Sequence, residues 1–310
     1  MSTPSGASVA PAPFPRPLAL ALMCGLATLF AANHVAARVA FDAGAGLLLA
    51  IVLRSGVAAL ALAALVVFQR KSWRLPAGSG RWQLAVGLLV AVQSLCLYSA
   101  VARIPVVVAL LLMNTLPIQL ALLSWALGGP RPTARATLVM GVILIGLVVV
   151  LDVPTWFADP GAMGPDWLAG VAFGLAAATA FSCALWITEH RLAGVGSTLR
   201  SLLTMLTVLV AMVIAGGLGL MPGGMAPPQS LPGWTGLGFL ALCYALAFSV
   251  LFITVPRLDM ARNAPAMNME PVAALVLGYL VLGQALTPVQ LVGGGIVLAG
   301  ILFLGLSKRA

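Results

Sequence analysis

The chain has 310 residues, of which 62% are hydrophobic and only 7% are charged, and its formal net charge is +9. A soluble domain carries about 25% charged residues, so this composition excludes a water-soluble protein with a polar surface. The Lys and Arg residues stand at the ends of apolar runs, where membrane proteins place the charges that set topology. We therefore expect a protein whose partner is the lipid bilayer and which does not bind nucleic acid.

The chain opens with residues 1–17, rich in Pro, Ala and Ser, which predict a disordered cytoplasmic tail. Crossing a bilayer takes about 20 consecutive apolar residues. A long series of such segments follows the tail, so we expect a retained first helix and not a cleaved signal peptide. The predicted fold is an all-α integral membrane protein with ten transmembrane helices, at 18–38, 45–68, 82–102, 104–127, 133–151, 167–189, 198–220, 234–256, 263–283 and 288–307.

The sequence contains an internal repeat. The segment Met113–Pro117 returns as Met267–Pro271, and the same spacing relates Gly146 to Gly300. Each copy holds five predicted helices, an odd number, so the second copy enters the membrane inverted relative to the first. Inverted repeats are typical of secondary transporters that work by alternating access, although they can also build a channel. The predicted units are a first repeat at 18–151, an external loop at 152–166 and a second repeat at 167–310.

The distribution of charge predicts the orientation of the chain. With a cytoplasmic amino terminus, most of the 16 Lys and Arg residues fall on the inside, as the positive-inside rule requires. The acidic residues Asp42, Asp152, Asp159 and Asp166 then fall outside. Both termini are therefore predicted to be cytoplasmic.

Two ionisable side chains stand well inside the predicted helices, Arg54 in the second and Glu270 in the ninth. Charges at that depth are costly and face a cavity or a partner. Three interpretations are open at this point. The two residues form a buried ion pair that locks helices together, or Glu270 takes up and releases a proton, or the two meet the carboxylate and amine of a zwitterion.

Pro117 and Pro271 occupy equivalent positions in the two repeats. Proline within a helix removes a hydrogen bond and clashes with the carbonyl four residues earlier, so we expect each to act as a hinge that kinks its helix. Asn114 and Asn268 stand beside the carbonyls that such kinks would free. The pattern predicts that both amides line a substrate site, while the alternative is a kink needed only for packing.

Further polar and aromatic residues inside the predicted helices are candidates for the substrate site. Gln93, Ser94 and Tyr98 share one face of the third helix; a tyrosine near the end of a span can equally anchor it at the interface. We expect His34 to be a capping or surface residue. The complete set of candidates is Asn33, Arg54, Gln93, Tyr98, Asn114, Gln119, Trp186, Tyr244, Asn268 and Glu270.

The sequence shows no motif of an enzyme or of a metal site. The four cysteines are scattered singly inside apolar runs, which favours packing roles over disulfides or metal ligation. We therefore expect a protein that is not an enzyme and needs no cofactor.

Three stretches carry a family resemblance. Phe30–Arg38 combines an aromatic residue, small residues, an Asn and a basic residue; Arg54 follows in the second helix; and Met269–Ala274 has the form E-P-x-x-A with a preceding Met. Because of these features, residues 18–307 resemble the drug/metabolite transporter superfamily, in particular its ten-helix EamA-type members. The E-P-x-x-A motif is similar to that of homoserine/threonine-type exporters. Where members often carry Leu-Gly-Glu after helices four and nine, this chain has Gly129-Pro130 and Gly283-Gln284, which leaves Glu270 as the carboxylate available for coupling.

The resemblance implies transport without naming the cargo. We expect a multi-pass protein of the bacterial inner membrane, monomeric or homodimeric, that exports small polar metabolites such as amino acids. Alternating access would be driven by a proton gradient or run downhill. Two alternatives are open: an exporter of drugs or cations, and a non-transporting membrane sensor or assembly protein.

Overall fold

The structure is a computed structural model that describes residues 14–69, 73, 75–151, 164–221, 223–254, 257–258, 266–267 and 269–307. The predicted tail before residue 14 and most of the predicted external loop, residues 152–163, lie outside these ranges. Asn268 and residues 259–265 also lie outside them.

The described residues form eleven helices, and α4 and α5 together make one membrane span. Seven spans are long and apolar enough to cross a membrane, and three shorter apolar helices lie within α6, α10 and α11. The predicted ten-helix fold is therefore confirmed. The helices are α1 Arg16–Asp42, α2 Leu47–Phe68, α3 Gly80–Val101, α4 Val106–Met113, α5 Leu116–Ala126, α6 Ala134–Val150, α7 Trp167–Arg191, α8 Ser197–Gly217, α9 Leu231–Thr254, α10 Met269–Leu282 and α11 Pro288–Ser307.

The structure divides the predicted fourth helix into α4 and α5. The span is interrupted at Asn114 and Thr115, and Pro117 lies in the first turn of α5. A proline there costs no hydrogen bond, because the first N–H groups of a helix have no intrahelical partner. The backbone N–H and the Oγ1 of Thr115 both donate to the carbonyl of Leu112, at 3.1 and 2.8 Å. Pro271 likewise lies in the first turn of α10, so both prolines stand where a described helix begins, and the hinge role predicted for them stays a prediction.

The helices pack in pairs that respect the repeat. Helix α3 packs against α7 and α1 packs against α9, and these two contacts are equivalent when one half is placed on the other. Helix α2 packs against its own counterpart α8, and α6 packs against its counterpart α11. An approximate two-fold relation with helices of opposite direction produces this pattern, so the fold is two inverted five-helix repeats.

The repeated glycines allow the close approach of α6 and α11. A Cβ atom on Gly146 would lie 2.9 Å from Ile296 Cγ2, and one on Gly300 would lie 2.6 Å from Ile143 Cγ1. Small residues let transmembrane helices approach closely enough for backbone packing. The sequence repeat therefore marks the same packing requirement in both halves.

Candidate functional site

A cavity of about 640 Å³ lies between the two halves, and eight membrane spans contribute to its wall. Among the predicted candidates it is lined by Arg54, Gln93, Asn114, Tyr244 and Glu270, together with Pro117 and Pro271. Its size falls within the range of small-molecule sites, which is about 300–1,000 Å³. The structure thus brings together residues from both copies of the repeat around one space.

Arg54, in the middle of α2, is buried with 4% of its surface exposed. Its guanidinium carbon lies 4.6 Å from the ring centre of Tyr98 and 4.2 Å from that of Tyr244. One terminal nitrogen donates a 2.7 Å hydrogen bond to Ser94 Oγ, while the buried Nε has no hydrogen-bond partner in the described structure. Aromatic rings stabilise a desolvated cation without neutralising it, so the site keeps a positive charge.

Glu270 does not pair with Arg54. Among the described residues, Glu270 Oε1 instead lies 3.6 Å from His34 Nε2, a contact that is an ion pair only when the imidazole is protonated. The expectation that His34 is a capping or surface residue is wrong, because its side chain is only 7% exposed and lies against α10. Its ring also makes an edge contact with Tyr98 at 5.9 Å. Arg54 and Glu270 are therefore two separate charged positions in one cavity.

A chain of polar contacts connects these two positions. Tyr98, whose ring faces Arg54, donates from its hydroxyl to Asn33 Oδ1 at 3.0 Å. Asn33 Nδ2 lies 3.4 Å from His34 Nδ1 and donates to it. An imidazole that accepts at Nδ1 carries its proton on Nε2 when neutral, which is the nitrogen that faces Glu270. Asn33 and Tyr98 are completely buried and lie behind the cavity wall.

Asn114 reaches the cavity from the interruption between α4 and α5. Its side-chain nitrogen is buried and has no hydrogen-bond partner in the described part of the chain. An amide donor in that state is costly unless something accepts from it. The interruption therefore holds a buried amide donor, unpaired among the described residues, on a residue that lines the cavity.

Three aromatic rings form a wall next to Arg54, which we call the aromatic wall: Phe30, Tyr244 and Phe248. Phe248 lies 4.6 Å from Tyr244 and 5.6 Å from Phe30, and Phe30 lies 6.0 Å from Tyr244. All three line the cavity. The Tyr244 hydroxyl donates to Met205 Sδ at 3.8 Å, so it is already engaged.

The cavity extends toward the end of the bundle at which α8 begins. Arg200, Ser201 and Thr204, from the first turns of α8, line it. By the charge pattern this end is predicted to be cytoplasmic. The sequence suggested only a topological role for Arg200, whose side chain donates to the Leu192 carbonyl at 3.3 Å.

The opposite end of the bundle is closed by backbone hydrogen bonds between the halves. The loop between α1 and α2 meets the segment between α8 and α9, where Gly46 N–H donates to the Ala226 carbonyl at 2.9 Å and Leu49 N–H to the Gly224 carbonyl at 3.0 Å. Close by, Gln229 N–H donates to the Ala43 carbonyl at 2.9 Å. Among the described residues, these bonds hold loops of the two halves together at the end that is predicted to be external.

Two of the predicted candidates lie away from the cavity. The side-chain nitrogen of Gln119 donates to Thr115 Oγ1 at 3.0 Å, and Trp186 stacks on His190 with ring centres 4.4 Å apart. Neither lines the cavity, and Asn268 lies outside the described residues.

Comparison with known proteins identifies the family. The profile of the EamA-like transporter family matches residues 17–152 and 162–306, once for each half. The chain belongs to the EamA-like transporter family. The resemblance drawn from the sequence is thus confirmed, and the chain is a multi-pass membrane transporter.

Two curated relatives of this EamA-like transporter carry the same name. The present chain is 29% identical over 257 residues to the threonine/homoserine exporter RhtA of Escherichia coli strain K12, with 79% of each chain covered. It is also 29% identical over 249 residues to the threonine/homoserine exporter RhtA of Salmonella typhimurium strain LT2, with 76% of each chain covered. One crystal structure, of a protein that is 17% identical in sequence, has the same fold with a TM-score of 0.62. The match covers 96% of the present chain and 100% of the chain in that structure.

Proposed function

We propose that this EamA-like transporter exports amino acids or similar amphipathic metabolites from the cytoplasm across the bacterial inner membrane by alternating access. The observation that carries the proposal is Arg54. It is a buried cation that lines the cavity, it is held by two aromatic rings, and it has no acidic partner within 4.0 Å among the described residues. A guanidinium with an unused N–H is a strong partner for a carboxylate.

The second charged position supplies the other half of a zwitterion site. Glu270 lines the same cavity and its side chain is 25% exposed. In the proposal, the Glu270 carboxylate accepts hydrogen bonds from the ammonium group of the cargo. Arg54 donates to the carboxylate of the cargo. An exporter of cations is disfavoured, because Arg54 would then face a cargo of its own sign.

In this proposal, proton coupling takes place at Glu270, next to His34. When the cargo leaves on the external side, the Glu270 carboxylate loses its ammonium partner and takes a proton in its place. The return of the empty transporter then carries that proton inward, and a new ammonium group displaces it. The contacts from Tyr98 through Asn33 to His34 offer a physical link by which the occupancy of Arg54 affects Glu270.

The test uses inside-out membrane vesicles, in which export appears as uptake. Vesicles with the transporter should accumulate radiolabelled L-amino acids when a proton gradient is imposed, and vesicles without it should not. Asp166→Asn is the matched control for replacing the acid Glu270 by its amide. Asp166 lies outside the helices, at the end of α7 opposite the cavity mouth. Absence of uptake for every amino acid by a well-expressed protein would refute the proposal.

A further inference from the structure

We infer that the cargo of this site carries a large apolar side chain, the class that includes leucine, methionine and phenylalanine, and not a short hydroxylated one. This inference rests on the proposed function and goes beyond it by naming the side chain. It also differs from the two cargoes that appear in the names of the relatives, threonine and homoserine. The observation behind it is the aromatic wall next to Arg54.

The position of the carboxylate fixes where the side chain of the cargo lies. The Arg54 guanidinium is 4.2 Å from the ring of Tyr244, and that ring contacts both other members of the aromatic wall. A carboxylate bound to Arg54 therefore sits beside the Tyr244 ring, with Phe248 and Phe30 next to that ring at 4.6 and 6.0 Å. The side chain of the cargo is placed against Phe30, Tyr244 and Phe248.

The chemistry of this wall favours an apolar group. Two of its members have no polar side-chain atom, and the hydroxyl of Tyr244 is already directed at Met205 Sδ. Burying a benzyl or isobutyl group against these rings removes apolar surface from water and allows ring contacts, both of which are favourable. Burying the hydroxyl of threonine at the same place removes it from water without a partner from the wall, which is unfavourable.

The size of the space agrees with this preference. A cavity of about 640 Å³ exceeds what a four-carbon amino acid needs to be enclosed. Phe181 and Leu251 also line it, so an extended side chain meets further apolar surface. A small polar cargo would leave most of this surface in contact with water.

The experiment measures uptake of L-phenylalanine, L-leucine, L-threonine and L-homoserine into inside-out vesicles. The expected kcat/KM for the two apolar amino acids exceeds that for the two hydroxylated ones by about ten- to a hundredfold. Equal or greater kcat/KM for threonine or homoserine would overturn the inference and leave the proposed function standing. Uptake of none of the four would overturn the inference, and lack of uptake of every other amino acid as well would overturn the proposed function.

Variants of the aromatic wall test the assignment of its role. Phe248→Ala should raise the KM for phenylalanine about tenfold or more while changing that for threonine by less than about twofold. Phe248→Leu, which keeps an apolar side chain, should retain leucine uptake and lose part of the phenylalanine preference, and it covers the case in which the alanine variant fails to fold. Phe239→Ala, at an exposed position on the same helix, should behave as wild type. An equal loss for phenylalanine and threonine in both Phe248 variants would contradict a side-chain site.

Discussion

Replacing Gly46 by alanine should open the end of the bundle that is closed in this structure. A Cβ atom at this position would lie 2.2 Å from the Gly224 carbonyl oxygen and 2.5 Å from that of Gly223. Both are backbone atoms, and ordinary contact begins at 3.4 Å, so the two loops must separate by about 1.2 Å, the difference between 3.4 and 2.2 Å. The backbone φ of Gly46 is −73°, which alanine adopts freely, so the effect comes from the contact alone.

The separation has an energetic consequence that can be worked out. Hydrogen bonds from Gly46 to Ala226 and from Leu49 to Gly224, now 2.9 and 3.0 Å long, would exceed bonding distance after a shift of that size. Each contributes about 0.5–1.5 kcal/mol, so the closed state loses about 1–3 kcal/mol. Since about 1.4 kcal/mol corresponds to a factor of ten, the ratio of open to closed molecules should rise by about five- to a hundredfold.

Thiol labelling measures this shift. In a background with the four native cysteines replaced by alanine, Gln93→Cys places a thiol on the cavity wall. A membrane-impermeant maleimide applied to intact cells should label it faster when Gly46→Ala is added. Gly238→Ala is the matched control, because no atom lies within 4 Å of a Cβ at that position. Unchanged labelling in a well-expressed Gly46→Ala protein would refute the idea that this contact closes the external end.

Three further predictions follow from the site and the charge pattern. Glu270→Gln should abolish gradient-driven uptake but retain exchange of labelled for unlabelled amino acid, because the amide keeps the shape and cannot carry a proton; full gradient-driven uptake would contradict coupling at this residue. Asn114→Ala should lower kcat/KM about tenfold, as expected for one lost hydrogen bond to cargo, and wild-type transport with normal insertion would reduce the helix interruption to a packing feature. Reporter tags at both termini should be cytoplasmic and a tag within 152–163 external, and an external carboxyl terminus would refute the orientation used here.

The fold was predictable because it depends on the length of apolar segments and on the repeat, both of which can be read directly from the sequence. The interruption of the fourth span was harder to predict from the sequence. Pro117 is compatible with a kink in a continuous helix and with the first turn of a new one. The sequence alone does not separate these two cases, and in the structure Asn114 and Thr115 form the turn between α4 and α5.

The candidate site was predictable only where a residue type is costly inside a membrane. Arg54 and Glu270 stood out for that reason, and both line the cavity. His34 did not, because it lies near the predicted end of a span and its burial depends on α10, which is far away in the sequence. Gln119 and Trp186 were chosen by type alone, since spans that are apolar on all sides give no periodic signal of which face meets the cavity.

The central claim, that Arg54 binds the carboxylate of an amino acid, is tested most directly by comparing L-leucine with L-leucinamide, which keeps the amine and the side chain but lacks the carboxylate. In inside-out vesicles, wild-type kcat/KM should favour leucine by about ten- to a hundredfold, the range expected for a charge-assisted hydrogen bond. Arg54→Gln should abolish this preference, and Arg81→Gln, exposed at the start of α3, should retain it. Equal transport of the two compounds by the wild type, or an undiminished preference in Arg54→Gln, would contradict the claim.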